Sequence, residues 1–364
     1  MTTTTAQIRA ALDAGTAVLL WGPPGVGKTA TIRAIARETG EPIETVIASI
    51  HDPADFAGLP VVHDGRVRFA PPDWALRLAE VGHGILFLDE ISTAPPAVQS
   101  ALLRVVLERT VGDLALPDSV RILAAANPPE QAAGGWDLSA ALANRFIHLQ
   151  FEADPGAWVE GFPNYWGAAP QIPGLDAPRW AQARAVVAAF VHHRPALLCQ
   201  PPKEEVAAGR AWPSPRSWDA ASRVLARVGD DAFPLVVGSV GEGPALEFWA
   251  WRQDLDLPDP EDVLSRPTTW RVPDRGDRVY AALASIVAAV GPAPTRDRWR
   301  AAVVAVAHAA DVSAADVAAI AARPLFRLVQ TDPQRRTWLL GDPAVQAALS
   351  GPLGVVAREG GTAA

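Results

Sequence analysis

The sequence has a single cysteine and no long apolar run, and each absence excludes a class of protein. Cys199 has no second cysteine with which to form an internal disulfide, which agrees with a reducing compartment. No apolar run reaches the about 20 residues that a membrane-spanning helix needs. The first residues lack the basic and apolar segments of a secretory signal. These features predict a cytoplasmic protein without a membrane span.

Basic residues are outnumbered by acidic ones, with 32 lysines and arginines against 40 aspartates and glutamates. The net charge is −8, and lysines and arginines form no long basic stripe. A protein that grips nucleic acid through its phosphates normally presents such a stripe, so nucleic-acid binding is disfavoured. With 364 residues, 49% of them hydrophobic and 20% charged, the chain has the composition of a globular protein of two or three domains.

A glycine-rich segment follows the apolar run 17–21 and precedes a helical pattern at about 27–39. It reads Gly22-Pro23-Pro24-Gly25-Val26-Gly27-Lys28-Thr29 and continues into Ala30. Between a strand and a helix, this spacing is typical of a phosphate-binding loop, whose backbone N–H groups surround phosphate oxygens. It predicts that Lys28 reaches the β- and γ-phosphates of a nucleoside triphosphate. The Thr29 hydroxyl is predicted to bind Mg²⁺.

Two further polar clusters end predicted strands. Asp89 and Glu90 close the run 85–88, and Asn127 follows the run 120–126. Asp89 is predicted to orient Mg²⁺, Glu90 to act as general base towards the attacking water, and Asn127 to hold that water. Taken alone, the acids also fit a solvated loop, and the asparagine fits a turn before proline.

Two arginines are candidates for stabilising charge on a transferred phosphoryl group. Arg145 lies in Ala-Leu-Ala-Asn-Arg-Phe, and Arg216 follows Trp-Pro-Ser-Pro. An arginine beside a γ-phosphate stabilises the charge that spreads over its oxygens. Either residue could instead form an ordinary ion pair.

Apolar runs and helical patterns alternate up to about residue 152 and predict a parallel α/β sheet. The predicted strands are 17–21, 42–48, 85–88, 120–126 and 146–151, and the predicted helices between them are about 27–39, 73–81, 95–108 and 137–143. Two hairpins, 61–69 and 110–120, interrupt the alternation. Beyond residue 152 only helices are predicted, at about 178–194, 213–228, 241–253, 275–290, 295–310 and 313–322.

In this order, the motifs resemble Walker A, Walker B, sensor 1, arginine finger and sensor 2 of an AAA+ ATPase. The segments 89–103, 126–128, 142–146 and 214–216 are similar to the MoxR-like group of the helix-2-insert clade. The resemblance implies a P-loop NTPase fold, a three-layer αβα core over 1–152. An all-α lid carrying sensor 2 would follow over 153–255, then a helical extension over 256–345 and a flexible tail over 346–364.

The resemblance also implies ATP and Mg²⁺ as ligands and a hexameric ring with one nucleotide at each subunit interface. Arg145 would act on the neighbour's ATP and Arg216 on the ATP of its own chain. The hairpins would lie at the central pore. Partners would be client proteins, among them proteins with a von Willebrand factor A domain. Ser92 stands where the group usually has asparagine, and the segment 49–58 matches only in part.

The leading hypothesis is therefore an ATP-hydrolysing protein that remodels, activates or matures a partner protein. A DNA-acting motor or loader is one alternative, for which Arg66 and Arg68 on the first hairpin are the only supporting residues. A nucleotide-dependent adaptor that binds without hydrolysis is the other, and Glu90 speaks against it.

Overall fold

A computed structural model describes residues 3–129, 136–167, 169–291, 294–312, 315–330, 332–340, 342–351 and 353–354. The chain divides into two compact units. One contains residues 1–152 with 202–209, and the other contains 153–201 with 210–364. None of the helices within the described ranges is long and apolar enough to cross a membrane.

Strands occur only in the first unit, as far as the chain is described. They are β1 Val18–Trp21, β2 Ile43–Ile47, β3 Leu59–His63, β4 Arg66–Ala70, β5 Gly84–Asp89, β6 Thr110–Val111, β7 Leu114–Ala115, β8 Val120–Ala126 and β9 Ile147–Gln150. The helices of the first unit are α1 Thr3–Asp13, α2 Lys28–Thr39, α3 Ala54–Ala57, α4 Asp73–Val81, α5 Pro96–Glu108, α6 Ala140–Ala143 and, near residue 205, α9 Glu205–Ala208.

The helices of the second unit are α7 Pro155–Gly161, α8 Ala177–His193, α10 Pro215–Val228, α11 Phe233–Val240, α12 Glu242–Gln253, α13 Pro260–Ser265, α14 Gly276–Val290, α15 Arg296–Val312, α16 Ala315–Gln330 and α17 Pro343–Ser350. Every strand and helix expected from the sequence has a counterpart at or near its predicted position. The first helix, α1, was not predicted. Six helices of four to eight residues were also missed, because so few turns show no clear apolar period; they are α3, α7, α9, α11, α13 and α17.

Five parallel strands form the central sheet in the order β2-β5-β8-β1-β9. Leu86 and Leu88 of β5 pack in one cluster with residues of α3, α4 and α5. Ile85 and Phe87 point to the opposite face and are also buried, on the side where α1 and α2 contact the sheet. Helices thus cover both faces, which explains the continuous apolar run of β5 and confirms the predicted three-layer α/β core.

The order of the strands fixes where a ligand can bind. From β1 the chain crosses over β8 and β5 to reach β2, whereas β9 lies on the other side of β1. Connections that leave a parallel sheet in opposite directions open a crevice at the carboxyl ends of the strands. The segment 22–27 follows β1 and lies at this edge.

Both predicted hairpins are present. In the first, β3 pairs with β4 through Asp64 and Gly65, which have φ of 52° and 71°. In the second, β6 pairs with β7 through a turn that contains Gly112 and Asp113. The Asp113 amide donates to the Phe69 carbonyl (2.9 Å), and the Phe69 amide donates to Asp113 Oδ2 (3.1 Å). The turn of the second hairpin is therefore fastened to the end of the first.

The second unit has two apolar cores that share α14. One face of α14, including Tyr280 and Ala284, packs with α8, α10 and α12, and another, including Leu283 and Ile286, packs with α15 and α16. A helix buried between two cores must be apolar on nearly all sides, as α14 is. The division of this unit into a lid and an extension stays a prediction.

The predicted flexible tail begins too early at residue 346. The chain is helical to Ser350, because Val345 and Ala348 of α17 and Leu353 after it are buried against the core around α15 and α16. Residues 355–364 lie outside the described ranges.

Candidate active site

The carboxyl ends of β1, β8 and β5 place most of the candidate residues at one edge of the sheet. Trp21 of β1 is in register with Ala126 of β8, so Gly22 and Asn127 follow neighbouring strand ends. Asp89 ends β5, which pairs with the other side of β8. Parallel pairing alone therefore brings together residues that lie far apart in the sequence.

Gly22 is packed too closely to carry a side chain. Its amide donates to the Ala126 carbonyl (3.2 Å), and a Cβ at this position would lie 2.2 Å from the carbonyl oxygen of Phe151. Real Cβ atoms do not approach an oxygen so closely, so this glycine is required by the backbone that follows β9.

The loop then turns into α2 through two glycines in the left-handed region. Gly25 has φ of 74°, and Gly27, the N-cap of α2, has φ of 109°. No side chain caps α2, so the first N–H groups of this helix remain available to an anion. Val26 anchors the loop by being buried, Pro23 and Pro24 are half-buried, and Ala30 is exposed in the first turn.

Lys28 is held by the loop and by the neighbouring strand. Its side chain is buried, and Nζ donates to the carbonyl oxygens of Gly22 (2.6 Å) and Pro23 (3.1 Å) and to Asn127 Oδ1 (2.9 Å). The ammonium group is thus fixed where phosphate oxygens would lie beside the loop. The contact also joins the predicted sensor residue Asn127 to the phosphate-binding loop.

Thr29 and Asp89 form the pair that could hold a magnesium ion. Thr29 Oγ1 donates to Asp89 Oδ2 at 2.8 Å. A hydroxyl and a carboxylate are the oxygen donors that Mg²⁺ prefers, and Mg²⁺ takes its other ligands from substrate phosphates and water. Within the described ranges no group of three or more histidine, cysteine or acidic side chains could hold a metal ion by itself. The residues present therefore fit a magnesium ion that binds together with a phosphate ligand.

Glu90 has an unusual backbone and a partner that sequence reasoning missed. It adopts the left-handed conformation, with φ of 56° and ψ of 38°, which is uncommon for a residue with a side chain. Ser49 Oγ donates to Glu90 Oε2 at 2.7 Å. Ser49 lies in the short helical turn after β2, and β2 is the strand that pairs with β5. A polar residue just beyond a strand on the same edge was the available signal.

Ser92 follows the acidic pair Asp89 and Glu90 and contacts Asn127. It is buried, and its Oγ lies 3.4 Å from the carbonyl oxygen of Asn127, a long hydrogen bond. The position that usually carries asparagine in MoxR-like sequences therefore still connects the segment after β5 to the segment after β8.

Arg145 lies at the opposite edge of the sheet. It precedes β9, and β9 runs parallel to β1 with Ile147 beside Val18, whereas the phosphate-binding loop follows Trp21. The length of the strand, about 10 Å, separates the two positions. Arg145 is exposed, and its guanidinium makes no ion pair or side-chain hydrogen bond within the described residues. The structure does not bring this arginine to its own chain's loop.

Arg216 belongs to the second unit. It is exposed in the first turn of α10, directly after Pro215. Ser214 caps this helix, since its Oγ accepts from the Ser217 amide (3.1 Å) while Ser217 Oγ accepts from the Ser214 amide (2.8 Å). The Ser-Pro part of the motif is explained by this helix start, and the arginine remains available to another group.

Comparison with known proteins agrees with this geometry. Residues 17–148 match the model of the ATPase family associated with various cellular activities (AAA). Chaperone MoxR1 of Mycobacterium tuberculosis is 34% identical over 135 residues, which is 36% of this chain and 34% of that protein. Residues 17–148 are therefore those of an AAA+ ATPase core similar to the MoxR-like group.

One further relative and one solved structure are also similar to this chain. Protein MoxR of Methylorubrum extorquens is 39% identical over 100 residues, 26% of this chain and 27% of that protein. A Thermotoga maritima RuvB variant of known structure is 17% identical, with a TM-score of 0.38, over 79% of this chain and 81% of that chain. The RuvB likeness is too distant to bear on function.

The matches cover about a third or less of each MoxR relative, 34% of MoxR1 and 27% of MoxR. The family model contains every candidate residue at the sheet edge and also Arg145, but it ends before Arg216. For Arg216 only the sequence motif supports a role.

Proposed function

We propose that this MoxR-like chain hydrolyses ATP as one subunit of a ring and uses the turnover to remodel a partner protein. The observation that carries the proposal is the convergence of Lys28, Thr29, Asp89, Glu90 and Asn127 at one edge of the parallel sheet. An adaptor that only binds nucleotide needs the first three, but it has no use for a carboxylate and an amide placed to activate water.

Each residue has a role that fits its position. The loop 22–27 and Lys28 would hold the phosphates of ATP, and Thr29 and Asp89 would hold Mg²⁺, which neutralises phosphate charge when bound. Glu90 would accept a proton from the attacking water, and Asn127 would position that water. The contact of Asn127 Oδ1 with Lys28 Nζ (2.9 Å) keeps the amide next to the phosphate-binding loop.

The position of Arg145 supports the ring. At the opposite edge of the sheet, its guanidinium cannot serve the loop of its own chain, but a neighbouring subunit in a ring could receive it. The predicted action of Arg216 on its own chain's ATP, the hexameric count and the cytoplasmic location stay predictions.

Subunit mixing tests the trans role of Arg145. Arg145→Ala is expected to lower turnover by about 100-fold or more, because arginine fingers contribute about 10³–10⁵ in related reactions, while ATP binding persists. In Lys28→Ala subunits the loop fails but Arg145 is intact. Adding these subunits to the Arg145→Ala protein should restore part of the ATPase activity, measured as phosphate release. If mixed rings form, as shown by mass spectrometry of labelled subunits, and no activity returns, the trans role is wrong.

The Ser49 contact gives a second test of the site. Ser49 Oγ donates a hydrogen bond to one oxygen of the Glu90 carboxylate, the group that would accept the proton. Ser49→Ala removes this bond and leaves both carboxylate oxygens available to the attacking water. We expect basal turnover to rise roughly three- to tenfold, the size of one net hydrogen bond. Ser49→Thr keeps the hydroxyl and should behave like the wild type in the same phosphate-release assay. A fall in turnover on Ser49→Ala would mean that the bond positions Glu90 for catalysis.

Remodelling of a protein is supported by the name of the relative Chaperone MoxR1 and by the acidity of the chain, which disfavours DNA. Client proteins with a von Willebrand factor A domain remain a prediction from the resemblance. The direct test is affinity capture from native lysate with the Glu90→Gln variant and ATP. A partner should be retained with ATP, released with ADP and absent with Lys28→Ala. Stimulation of the ATPase by DNA, with no ATP-dependent protein capture, would favour a DNA-acting motor instead.

A further inference from the structure

The second unit contains a cavity of about 1000 Å³ that is open to solvent, and no candidate residue of the ATP site lines it. It lies between α8, the end of α10, the end of α12 and the segment that leads into α13, with one residue of α14 in its wall. Pockets for small ligands have volumes of about 300–1,000 Å³, so this cavity is at the large end of that range.

Much of the cavity wall is apolar. Val186, Leu225, Leu255 and Leu257 contribute aliphatic side chains, and Trp249 adds an aromatic ring. Val186, Trp249, Leu255 and Leu257 are half-buried beside the core around α8 and α10, whereas Leu225 is a buried member of that core. A ligand that brings apolar side chains here would remove both surfaces from water, which is the main driving force for association.

The acids of the cavity are already engaged. Asp230 Oδ1 accepts from Arg252 Nη2 at 2.8 Å. Asp259 caps α13, where Oδ1 accepts from the Glu261 amide at 2.9 Å. Arg252 therefore balances Asp230, but the capped Asp259 keeps its negative charge, so the wall of three arginines and two aspartates has a net charge of +1.

Two arginines of the wall have no acidic partner within the described residues. Arg227 donates through Nη1 to the uncharged carbonyl of Gly174 (2.7 Å), and the Arg179 guanidinium has no hydrogen bond or ion pair there. Both side chains are exposed. In a chain with a net charge of −8, two unpaired guanidinium groups beside an apolar cavity favour carboxylates.

We propose that this cavity docks a short segment of a protein partner in which leucine-like side chains are flanked by aspartate or glutamate. The proposal rests on the proposed function, since it describes how a client of the ATPase would be recognised. Apolar side chains would fill the space beside Trp249, and the flanking carboxylates would pair with Arg179 and Arg227.

Selection from a random 12-residue display library tests the proposal on the full-length protein. The enriched peptides are expected to combine acidic and apolar residues. Their affinity, measured by fluorescence polarisation, should fall about tenfold or more on the double variant Arg179→Glu and Arg227→Glu, because two attractive charge contacts become repulsive. The matched control is the double variant Arg266→Glu and Arg271→Glu, because these two arginines are exposed in the same unit but do not line the cavity.

Three outcomes would overturn the docking site. The selection could enrich no peptide, or it could enrich peptides without acidic residues. The enriched peptides could also bind the wild type and the Arg179/Arg227 variant with equal affinity. Displacement of the peptides by decanoate at similar affinity would assign the cavity to a small apolar acid instead. ATPase turnover of the cavity variant should match the wild type, so loss of peptide binding with normal turnover contradicts this inference alone. Absent turnover in the wild type contradicts the proposed function, while peptide binding still decides the docking site.

Discussion

Replacing Glu90 with glutamine is expected to lower the rate of ATP turnover by about 100-fold or more. The affinity for ATP should change by no more than about twofold. The amide is nearly the same size as the carboxylate, but it cannot accept a proton from water at neutral pH. Ser49 Oγ can still donate to the Oε atom of glutamine, so the local arrangement around β2 and β5 should persist. The loss should therefore be chemical rather than structural.

Two measurements separate binding from turnover in this variant. Steady-state phosphate release gives the turnover, and isothermal titration with ATP and Mg²⁺ gives the affinity. Glu80→Gln is the matched control, because Glu80 is exposed on α4 away from the sheet edge and should leave both values unchanged. Wild-type turnover in Glu90→Gln would remove Glu90 as the general base. Absent turnover in the wild type itself would leave the non-hydrolysing adaptor as the better description.

Replacing Gly22 with alanine is expected to lower the stability of the first unit and to weaken nucleotide binding together. A Cβ at residue 22 would lie 2.2 Å from the Phe151 carbonyl oxygen, and a backbone atom can give way only if β1 or β9 moves. Overpacking of this kind costs typically about 1–3 kcal/mol, and a backbone contact belongs at the upper end. Because the Gly22 carbonyl also accepts from Lys28 Nζ (2.6 Å), the shift should misplace the lysine.

Thermal unfolding followed by circular dichroism and titration with ATP would measure the two effects of Gly22→Ala. Gly243→Ala is the control, because Gly243 lies in α12 and a Cβ there would meet no atom within 4 Å. Alanine in a helix is about 0.5–1 kcal/mol more favourable than glycine, so the control should be neutral or slightly stabilising. If Gly22→Ala keeps wild-type stability and affinity, the contact with Phe151 is not as tight as the structure places it.

The sequence alone was sufficient for the parallel sheet, the two hairpins and most of the helices that cover the sheet, although it missed α1 and α3. These features depend on local signals: apolar runs at strand length, helical periods, and the Asp64-Gly65 turn. The predicted phosphate-binding loop could also be identified from the sequence, because its glycines, lysine and threonine lie within eight consecutive residues. Their roles in nucleotide binding and catalysis remain predictions that the experiments above test.

Other parts of the candidate site depended on contacts between distant residues. Lys28 and Asn127 are 99 positions apart, and Ser49 and Glu90 are 41 positions apart. Sequence reasoning could propose Asn127 because it ends a strand, but it could not pair Asn127 with the lysine. It missed Ser49 altogether, because a single serine after a strand is common and only the pairing of β2 with β5 makes it a partner of Glu90.

By itself, the sequence determined that this chain has a glycine-rich loop on a parallel α/β sheet and a helical second part, because each of these depends on a short, contiguous pattern. Only the tertiary structure decided that Gly22 must lack a side chain and that Arg145 lies at the edge opposite its own loop. It also decided that α8, α10 and α12 line an open cavity with two arginines that pair with no acid in the described part of the chain. The reason is physical. Strand order, register and helix packing are set by burial of the whole core, and no local pattern specifies which distant residues that burial brings together.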